Sequence, residues 1–199
     1  NQNNMNVVLD LGANIECNEK NLVDFACMGS AFFQSLFNKD RPKVSLLNVG
    51  LEEYKGNEIL KKTFNILKDN EIKNFDFNGY IEGNHIMDGN VDVIITDGFT
   101  GNVALKTAEG TANFITKNLK KSLNKFSMIL SYSGLKKFKN KLDPRKYNGA
   151  IFLGLQSPVV KSHGSTDSIG FANSIHVCNK IVKGNMIEKI KSNLITVDA

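Results

Sequence analysis

Short apolar runs alternate with stretches of helical periodicity along this sequence, and this alternation constrains the fold more than any other feature. The apolar runs predict strands at 7–11, 44–49, 75–81, 91–96, 151–155 and 159–161. Apolar residues three or four apart predict helices at 21–37, 57–68, 102 to about 126, about 135–141 and 166–183. Such alternation is typical of an α/β fold with a mostly parallel sheet. Because ligands bind beyond the carboxyl ends of strands in these sheets, the residues after each strand are candidates for function.

Glycine-containing turns with polar side chains follow four of the predicted strand regions. They read DLGAN (10–14), NVGLEEYKGNE (48–58), DGFTGN (97–102) and KSHGSTD (161–167). Any one of them has the composition of an ordinary turn. Their recurrence at the ends of strands favours a shared binding site.

The turn at 97–102 has the clearest chemical content. Gly98 and Gly101 permit a tight backbone and the close approach of a ligand. A helix that begins near Asn102 offers unpaired N–H groups and the positive end of its dipole, which suits an anion. Asn102 and Lys106 are four residues apart and project from one side of that helix, so they indicate a site for phosphate or a developing oxyanion. The alternative left open is that Asn102 caps the helix and Lys106 is a solvated surface charge.

His163 precedes the last long predicted helix, which Ser165 or Thr166 is expected to cap, with Asp167 on its dipole. Because histidine titrates near neutrality, His163 is a candidate proton donor or acceptor. The alternative is an ordinary histidine in a surface loop.

The net charge of +5 is concentrated in residues 117–146, which we call the basic segment. It holds ten Lys or Arg and one acidic residue, a net charge of +9, whereas the remainder of the chain has a net charge of −4. We expect a partner of opposite charge there, such as an acidic protein or an anionic lipid surface. Few aromatic residues and no nucleic-acid motif argue against nucleic acid as that partner.

The middle of the basic segment has an apolar tip flanked by cations, which suits interfacial membrane binding. The residues expected to contact membrane or carrier protein are Lys125, Phe126, Met128, Ile129, Leu130, Lys136 and Lys137. The alternative is a solvated helical face with an apolar dimer contact.

The cysteines and the lack of long apolar runs indicate the cellular compartment in which the protein works. Three cysteines without metal spacing suit free thiols in a reducing cytosol. No run reaches the roughly 18 apolar residues of a membrane span, and the first residues lack the pattern of a secretory signal. We therefore expect a cytoplasmic protein that associates peripherally with membrane.

Four segments together resemble the phosphate acyltransferase (PlsX) family of bacterial phospholipid synthesis. They are LDLGAN, LLNVGLEEYKGNE, VDVIITDGFTGNVALKTAEG and YNGAIFLGLQSPVVKSHGSTD, within Asn6 to about Ile190. The resemblance implies a three-layer α/β/α sandwich similar to isocitrate and isopropylmalate dehydrogenases. It further implies a homodimer, without metal or organic cofactor, that makes acyl phosphate from acyl–acyl carrier protein and inorganic phosphate. The basic segment then resembles a helical hairpin that projects near the dimer interface and touches membrane.

The resemblance also implies site residues by motif match. We expect Asn102, His163 and Lys55 to be catalytic. Substrate or phosphate binding is assigned to Lys106, Asp97, Asn57, Gly98, Gly101, Ser165 and Asn14. In this hypothesis Lys55 and Lys106 hold phosphate, and Asn102 with helix N–H groups stabilises the oxyanion. His163 orients phosphate or acts as a general acid.

Two alternatives stay open beside this interpretation. One is a phosphate acetyl- or butyryltransferase that uses a coenzyme A thioester, and the other is an inactive fragment that docks on membrane or carrier protein. Members of the family begin with a further N-terminal portion, including a DAMGGD-like stretch. We therefore expect residues 1–199 to be the C-terminal portion of a single phosphate acyltransferase domain.

Overall fold

The computed structural model describes residues 5–37, 39–69, 74–122, 134, 149–164 and 166–194. Its strands are β1 (Val7–Leu9), β2 (Lys43–Asn48), β3 (Asp76–Glu82), β4 (Val93–Ile95), β5 (Ala150–Phe152) and β6 (Val159–Lys161). Its helices are α1 (Glu19–Phe37), α2 (Glu58–Asp69), α3 (Gly98–Ser122), α4 (Ser168–Lys183) and α5 (Met186–Asn193).

Four of the strands form one parallel sheet in the order β1–β4–β2–β3. Val8 of β1 pairs with Ile94 of β4, and Ser45 of β2 pairs with the same residue from the other side. The last five residues of β2 are all buried, as expected of a strand covered on both faces. β5 and β6 pair antiparallel in a separate two-stranded sheet.

Helices α1 and α2 cover one face of the parallel sheet. The core on that side joins Val44, Leu46, Val93 and Ile95 of the strands to apolar residues of both helices. Gly29 lets α1 approach β4 closely, because a Cβ there would lie 2.7 Å from Cγ1 of Val93.

The opposite face carries a second apolar cluster, and α3 packs against β1. The buried members of the cluster are Leu47, Ile81, Val91 and Ile94. The fold is therefore α/β, a mostly parallel sheet flanked by helices in three layers, which confirms the predicted fold class.

The C-terminal elements attach to the sheet through α1. Ala31 of α1 packs in one buried cluster with Ile181, Met186 and Ile190 of α4 and α5. β6 packs against α4, which in turn packs on α1.

Three features of the helices differ from the sequence prediction. α3 begins at Gly98, so the prediction of a start near Asn102 was wrong by one helical turn. Asp167, rather than Ser165 or Thr166, caps α4, because its carboxylate accepts the N–H of Gly170 at 3.0 Å. Helix α5 was not predicted, and the helix predicted at about 135–141 lies outside the described residues. In the described part of the chain, no helix is long and apolar enough to cross a membrane.

Candidate functional site

The sheet order brings three of the four predicted turns to one edge. β1, β4 and β2 are neighbours and run parallel, so their carboxyl ends lie side by side. The turns at 10–14, 97–102 and 48–58 follow these three strands. These three turns therefore lie at the same edge of the sheet.

Asp10 organises the first turn from within. Its carboxylate accepts the backbone N–H groups of Gly12 and Ala13 at 2.9 Å and of Asn14 at 2.7 Å, and the side-chain amide of Asn14 at 2.8 Å. Asp10 is only 3% exposed. Burial by itself raises the pKa of this carboxyl, but the hydrogen bonds from Ala13, Asn14 and Gly12 outweigh burial, and the net pKa is lowered. Asp10 is therefore a buried carboxylate held in its charged form.

The first turn docks directly on the start of α3. The Gly98 N–H donates to the carbonyl oxygen of Asn14 at 2.8 Å, and the Asn102 side-chain amide donates to the carbonyl oxygen of Leu11 at 3.2 Å. Gly12 has a φ of +118°, and a Cβ there would lie 2.7 Å from Nδ2 of Asn102. Only glycine fits this position, because both its backbone angle and the space demand it.

Asp97 caps α3 with its own carboxylate. Oδ1 accepts the Thr100 N–H at 2.8 Å and Oδ2 accepts the Thr100 hydroxyl at 2.7 Å. The Gly101 N–H donates to the backbone oxygen of Asp97 at 3.0 Å. The prediction that unpaired N–H groups lie beside Asn102 was wrong, because Asn102 lies in the second turn and a negative charge already occupies the positive end of the helix.

Lys55 is held in the turn after β2 by both its backbone and its side chain. Its Nζ lies 2.9 Å from a carboxylate oxygen of Glu52, and its carbonyl oxygen accepts the side-chain amide of Asn48 at 3.2 Å. Asn48 is 7% exposed, and its Oδ1 has no hydrogen-bond partner among the described residues. Gly56, with a φ of +91°, lies against that oxygen.

Asn57 caps α2 and lines an open pocket beside the three turns. Its Oδ1 accepts the Leu60 N–H at 2.9 Å. The pocket has a volume of about 500 Å³ and lies between the segment leading into α1, the start of α2 and Asp97. Its lining residues in the described chain are Ile15, Glu16, Cys17, Asn18, Asn21, Asn57, Ile59, Leu60 and Asp97.

The remaining predicted residues do not belong to these three turns, or they lie outside the described residues. Lys106 is exposed one turn beyond Asn102 and pairs with Glu109 at 2.8 Å. His163 is exposed in the turn between β6 and α4, and its carbonyl oxygen accepts the Thr166 N–H at 3.0 Å. Ser165 is outside the described residues, as are the predicted membrane or carrier contacts Lys125, Phe126, Met128, Ile129, Leu130, Lys136 and Lys137.

The structure therefore brings seven of the ten predicted site residues to one sheet edge. They are Asn14, Lys55, Asn57, Asp97, Gly98, Gly101 and Asn102. The sequence analysis did not select Asp10 and Asn48, which order two of the three turns. The available signal was a polar residue directly after an apolar strand, where a buried side chain must find hydrogen-bond partners.

The arrangement combines a lysine, side-chain amides and carboxylates. Among the described residues, no group of three or more His, Cys, Asp or Glu side chains is placed to hold a metal ion. Lys55 supplies a positive charge and Asn102 supplies amide N–H donors at the same edge. Such groups bind phosphate and stabilise a developing negative charge.

Comparison with known proteins identifies relatives of this chain. The chain is 61% identical over 199 residues to the phosphate acyltransferase of Pelagibacter ubique (strain HTCC1062), an overlap of 98% of this chain and 60% of that protein. It is 46% identical to the phosphate acyltransferase of Rhodospirillum centenum (strain ATCC 51521 / SW) over 198 residues, or 97% of this chain and 56% of that protein. The phosphate acyltransferase of Agrobacterium fabrum (strain C58 / ATCC 33970) is 45% identical over 193 residues, or 94% of this chain and 55% of that protein.

The chain thus spans between about half and three fifths of the length of these relatives. A family model described as "Fatty acid synthesis protein" matches residues 1–189. The chain belongs to this family of fatty acid synthesis proteins.

Proposed function

We propose that this chain is part of a phosphate acyltransferase that uses acyl–acyl carrier protein. In the reaction an oxygen of inorganic phosphate attacks the thioester carbonyl, the C–S bond breaks, and acyl phosphate and the free carrier thiol are released. The observation that carries the proposal is the docking of the 10–14 turn on the start of α3, which places Asn102 at the same edge as Lys55. The names of the relatives support it.

The two lysines are proposed to hold phosphate. Lys55 pairs with Glu52 and Lys106 pairs with Glu109, and all four side chains are substantially exposed. Exposed ion pairs contribute only about 0–1 kcal/mol, so phosphate can replace the carboxylate partner at little cost. Lys55 comes from the turn after β2, whereas Lys106 comes from the third turn of α3.

Asn102 is proposed to stabilise the oxyanion of the tetrahedral intermediate. A side-chain amide has two N–H donors, and Asn102 directs one of them at the Leu11 carbonyl oxygen. This hydrogen bond orients the amide and leaves the second donor for the developing negative charge. Asp97 supports the same residue indirectly because it caps the helix that carries Asn102.

His163 is proposed to orient phosphate or to donate a proton to the leaving thiolate, and Ser165 is proposed to bind phosphate. Both roles rest on the match of the KSHGS motif. His163 would act from the β6–α4 turn, which attaches through α1 rather than through the strands of the parallel sheet. A proton donor of this kind typically contributes about 100- to 10,000-fold in rate.

Three partners belong to this proposal. Acyl carrier protein carries the thioester substrate. The description of the family as fatty acid synthesis proteins supports this partner. A homodimer and an anionic membrane surface are the others, with the protein in the cytoplasm and peripherally bound. The net charge of +9 in the basic segment supports attraction to an acidic carrier or to anionic lipid.

The direct test is phosphate-dependent release of free thiol from acyl–acyl carrier protein. We would measure it with the 199-residue chain and with a version extended to the length of the relatives. Release that requires phosphate supports the proposal, and release only by the extended version means that the site is shared with further residues. Release from acyl–coenzyme A but not from the carrier would favour a coenzyme A-dependent transferase. No release by either folded protein would favour a docking fragment.

A further inference from the structure

The pocket at the start of α1 and α2 has the wrong charge for phosphate. Its lining carries two carboxylates, Glu16 and Asp97, and no Lys or Arg among the described residues. Glu19 and Glu58 lie in the first turns of α1 and α2, so acidic side chains already offset both helix dipoles. An anion in this pocket would be repelled by the carboxylates of Glu16 and Asp97.

Three asparagines line the pocket, and each uses its oxygen for structure. Oδ1 of Asn57 accepts the Leu60 N–H at 2.9 Å. Oδ1 of Asn18 accepts the Asn21 N–H at 2.9 Å, and Oδ1 of Asn21 accepts the Asn18 N–H at 3.0 Å. These bonds cap the two helices and fix the direction of each amide.

The nitrogen of each of these amides remains available as a hydrogen-bond donor. Among the described residues, no acceptor binds Nδ2 of Asn18, Asn21 or Asn57. Apolar side chains of Ile15, Ile59 and Leu60 lie beside the asparagines on the same lining. The pocket therefore offers hydrogen-bond donors to neutral acceptors next to apolar surface, within a volume of about 500 Å³ that is typical of small-molecule sites.

We propose that this pocket binds the neutral, amide-bearing pantetheine arm of the acyl thioester, while phosphate binds on the Lys55 side of the same edge. The pantetheine arm has two amide carbonyls to accept from the asparagines and methylene groups to lie on the isoleucines. Asp97 lines the pocket and also caps α3, so an arm in the pocket leads to the turn that carries Asn102. The inference rests on the proposed function, because it assumes a thioester substrate.

Carrier protein and coenzyme A present the same arm, so the probe is the arm alone. S-methyl pantetheine, a thioether without a free thiol, would be tested for protection of Cys17 against alkylation. Cys17 lines the pocket, whereas Cys178 on α4 is an internal control of similar exposure. We expect S-methyl pantetheine to slow labelling of Cys17 and not of Cys178, and inorganic phosphate to protect neither.

Asparagine-to-aspartate variants separate ligand binding from folding. Asn57→Asp and Asn21→Asp keep the oxygen that accepts the backbone N–H, replace the nitrogen donors by a second oxygen, and add one negative charge that the control variant also adds. Each is expected to raise the concentration of S-methyl pantetheine needed for half-protection about tenfold. Asn118→Asp, on the exposed side of α3, is the matched control and should change nothing.

The outcomes distinguish this inference from the proposed function, since protection does not require turnover. Protection of Cys17 that is lost in Asn57→Asp supports the pocket even if no thiol release is found. Protection by phosphate, or no protection by S-methyl pantetheine in a folded protein that releases thiol, overturns it. S-methyl coenzyme A and carrier protein bearing the S-methyl arm are then compared to learn which molecule supplies the arm. If the proposed function is correct, the carrier protein protects Cys17 at the lower concentration.

Discussion

The backbone of Gly101 lies directly against the carbonyl oxygen of Asp10, with no room for a side chain between them. Gly101 is in the first turn of α3, and Asp10 follows β1. The contact therefore locks together the turns that follow two neighbouring strands. Asn102 is the next residue along the helix, so its position at the sheet edge depends on this contact.

We expect Gly101→Ala to lower the free energy of unfolding by about 1–3 kcal/mol, because its Cβ would overlap the Asp10 oxygen and lie 2.8 Å from Cγ2 of Thr96. Gly110 is the control on the same helix. A Cβ there meets open space, so Gly110→Ala should raise the free energy of unfolding by about 0.5–1 kcal/mol. Urea unfolding followed by circular dichroism measures both, and equal effects of the two substitutions would contradict the docking contact.

Asp10→Asn should destabilise the protein at neutral pH and much less at low pH. The pKa of Asp10 is lowered from its ordinary value of 3.8, so the charged carboxylate stabilises the fold above pH 3.8. That contribution is lost as the pH falls through the lowered value. We expect a difference of about 1–3 kcal/mol between wild type and variant at pH 7, since an amide cannot satisfy all of the donors that face it. Unfolding at pH 7 and at pH 3 tests this, and a constant difference would show that the charge of Asp10 is not responsible.

Asn102→Ala is expected to reduce turnover about 100- to 1,000-fold, as removal of an oxyanion donor does. Asn65→Ala is the control, because Asn65 is an exposed residue of α2 outside both the candidate site and the basic segment. Steady-state kinetics with acyl–acyl carrier protein would separate kcat from KM. Turnover within a few-fold of wild type in Asn102→Ala would rule out the oxyanion role.

Asn48→Ala should weaken phosphate binding through Lys55. The substitution removes the hydrogen bond that holds the Lys55 carbonyl oxygen, so we expect the KM for phosphate to rise about two- to tenfold. Ser45 is the control on the same strand. Its buried hydroxyl has no partner among the described residues, so Ser45→Ala should be neutral or stabilising without changing the KM. If the KM for phosphate were unchanged in Asn48→Ala, the hydrogen bond from Asn48 to Lys55 would have no role in phosphate binding.

Binding of the basic segment to membrane should depend on lipid charge. Each Lys or Arg near an anionic surface contributes about 1 kcal/mol, so the chain should sediment with anionic vesicles and much less with neutral ones. Exchanging Lys136 and Lys137 for Glu should reduce sedimentation. Replacing Lys189 and Lys191 of α5 in the same way controls for net charge. Equal sedimentation with both vesicle types would exclude an electrostatic membrane contact.

Periodicity located most elements of the fold but misplaced helix ends where glycine was involved. DGFTG was interpreted as a turn because glycine is common in turns. In the structure both glycines are helical, and they are needed because the backbones of Asn14 and Asp10 leave no room for a Cβ. Asn14 and Asp10 are more than 80 positions away in the chain, so local helix propensity does not reflect this steric requirement.

The candidate site was likewise predicted only in part from the sequence. The match to the family motifs predicted Asn102, Lys55 and Asn57, and the structure places all three at the carboxyl edge of the parallel sheet, where ligands bind in such folds. The motifs did not reveal that the Asp97 carboxylate caps α3 or that Lys106 pairs with Glu109. Hydrogen-bond partners depend on side-chain direction, which spacing constrains only loosely.

The amino-acid sequence by itself determined the α/β class, the family and the polar turns, because alternation and motif chemistry are local properties of a chain. Only the tertiary structure decided which turns meet. The order β1–β4–β2–β3 places the first and fourth strands side by side and brings Asp10 against Gly101. Strand order depends on burying both faces of the sheet at once. The burial free energy comes from residues far apart in the chain, so no single segment of the sequence determines the order.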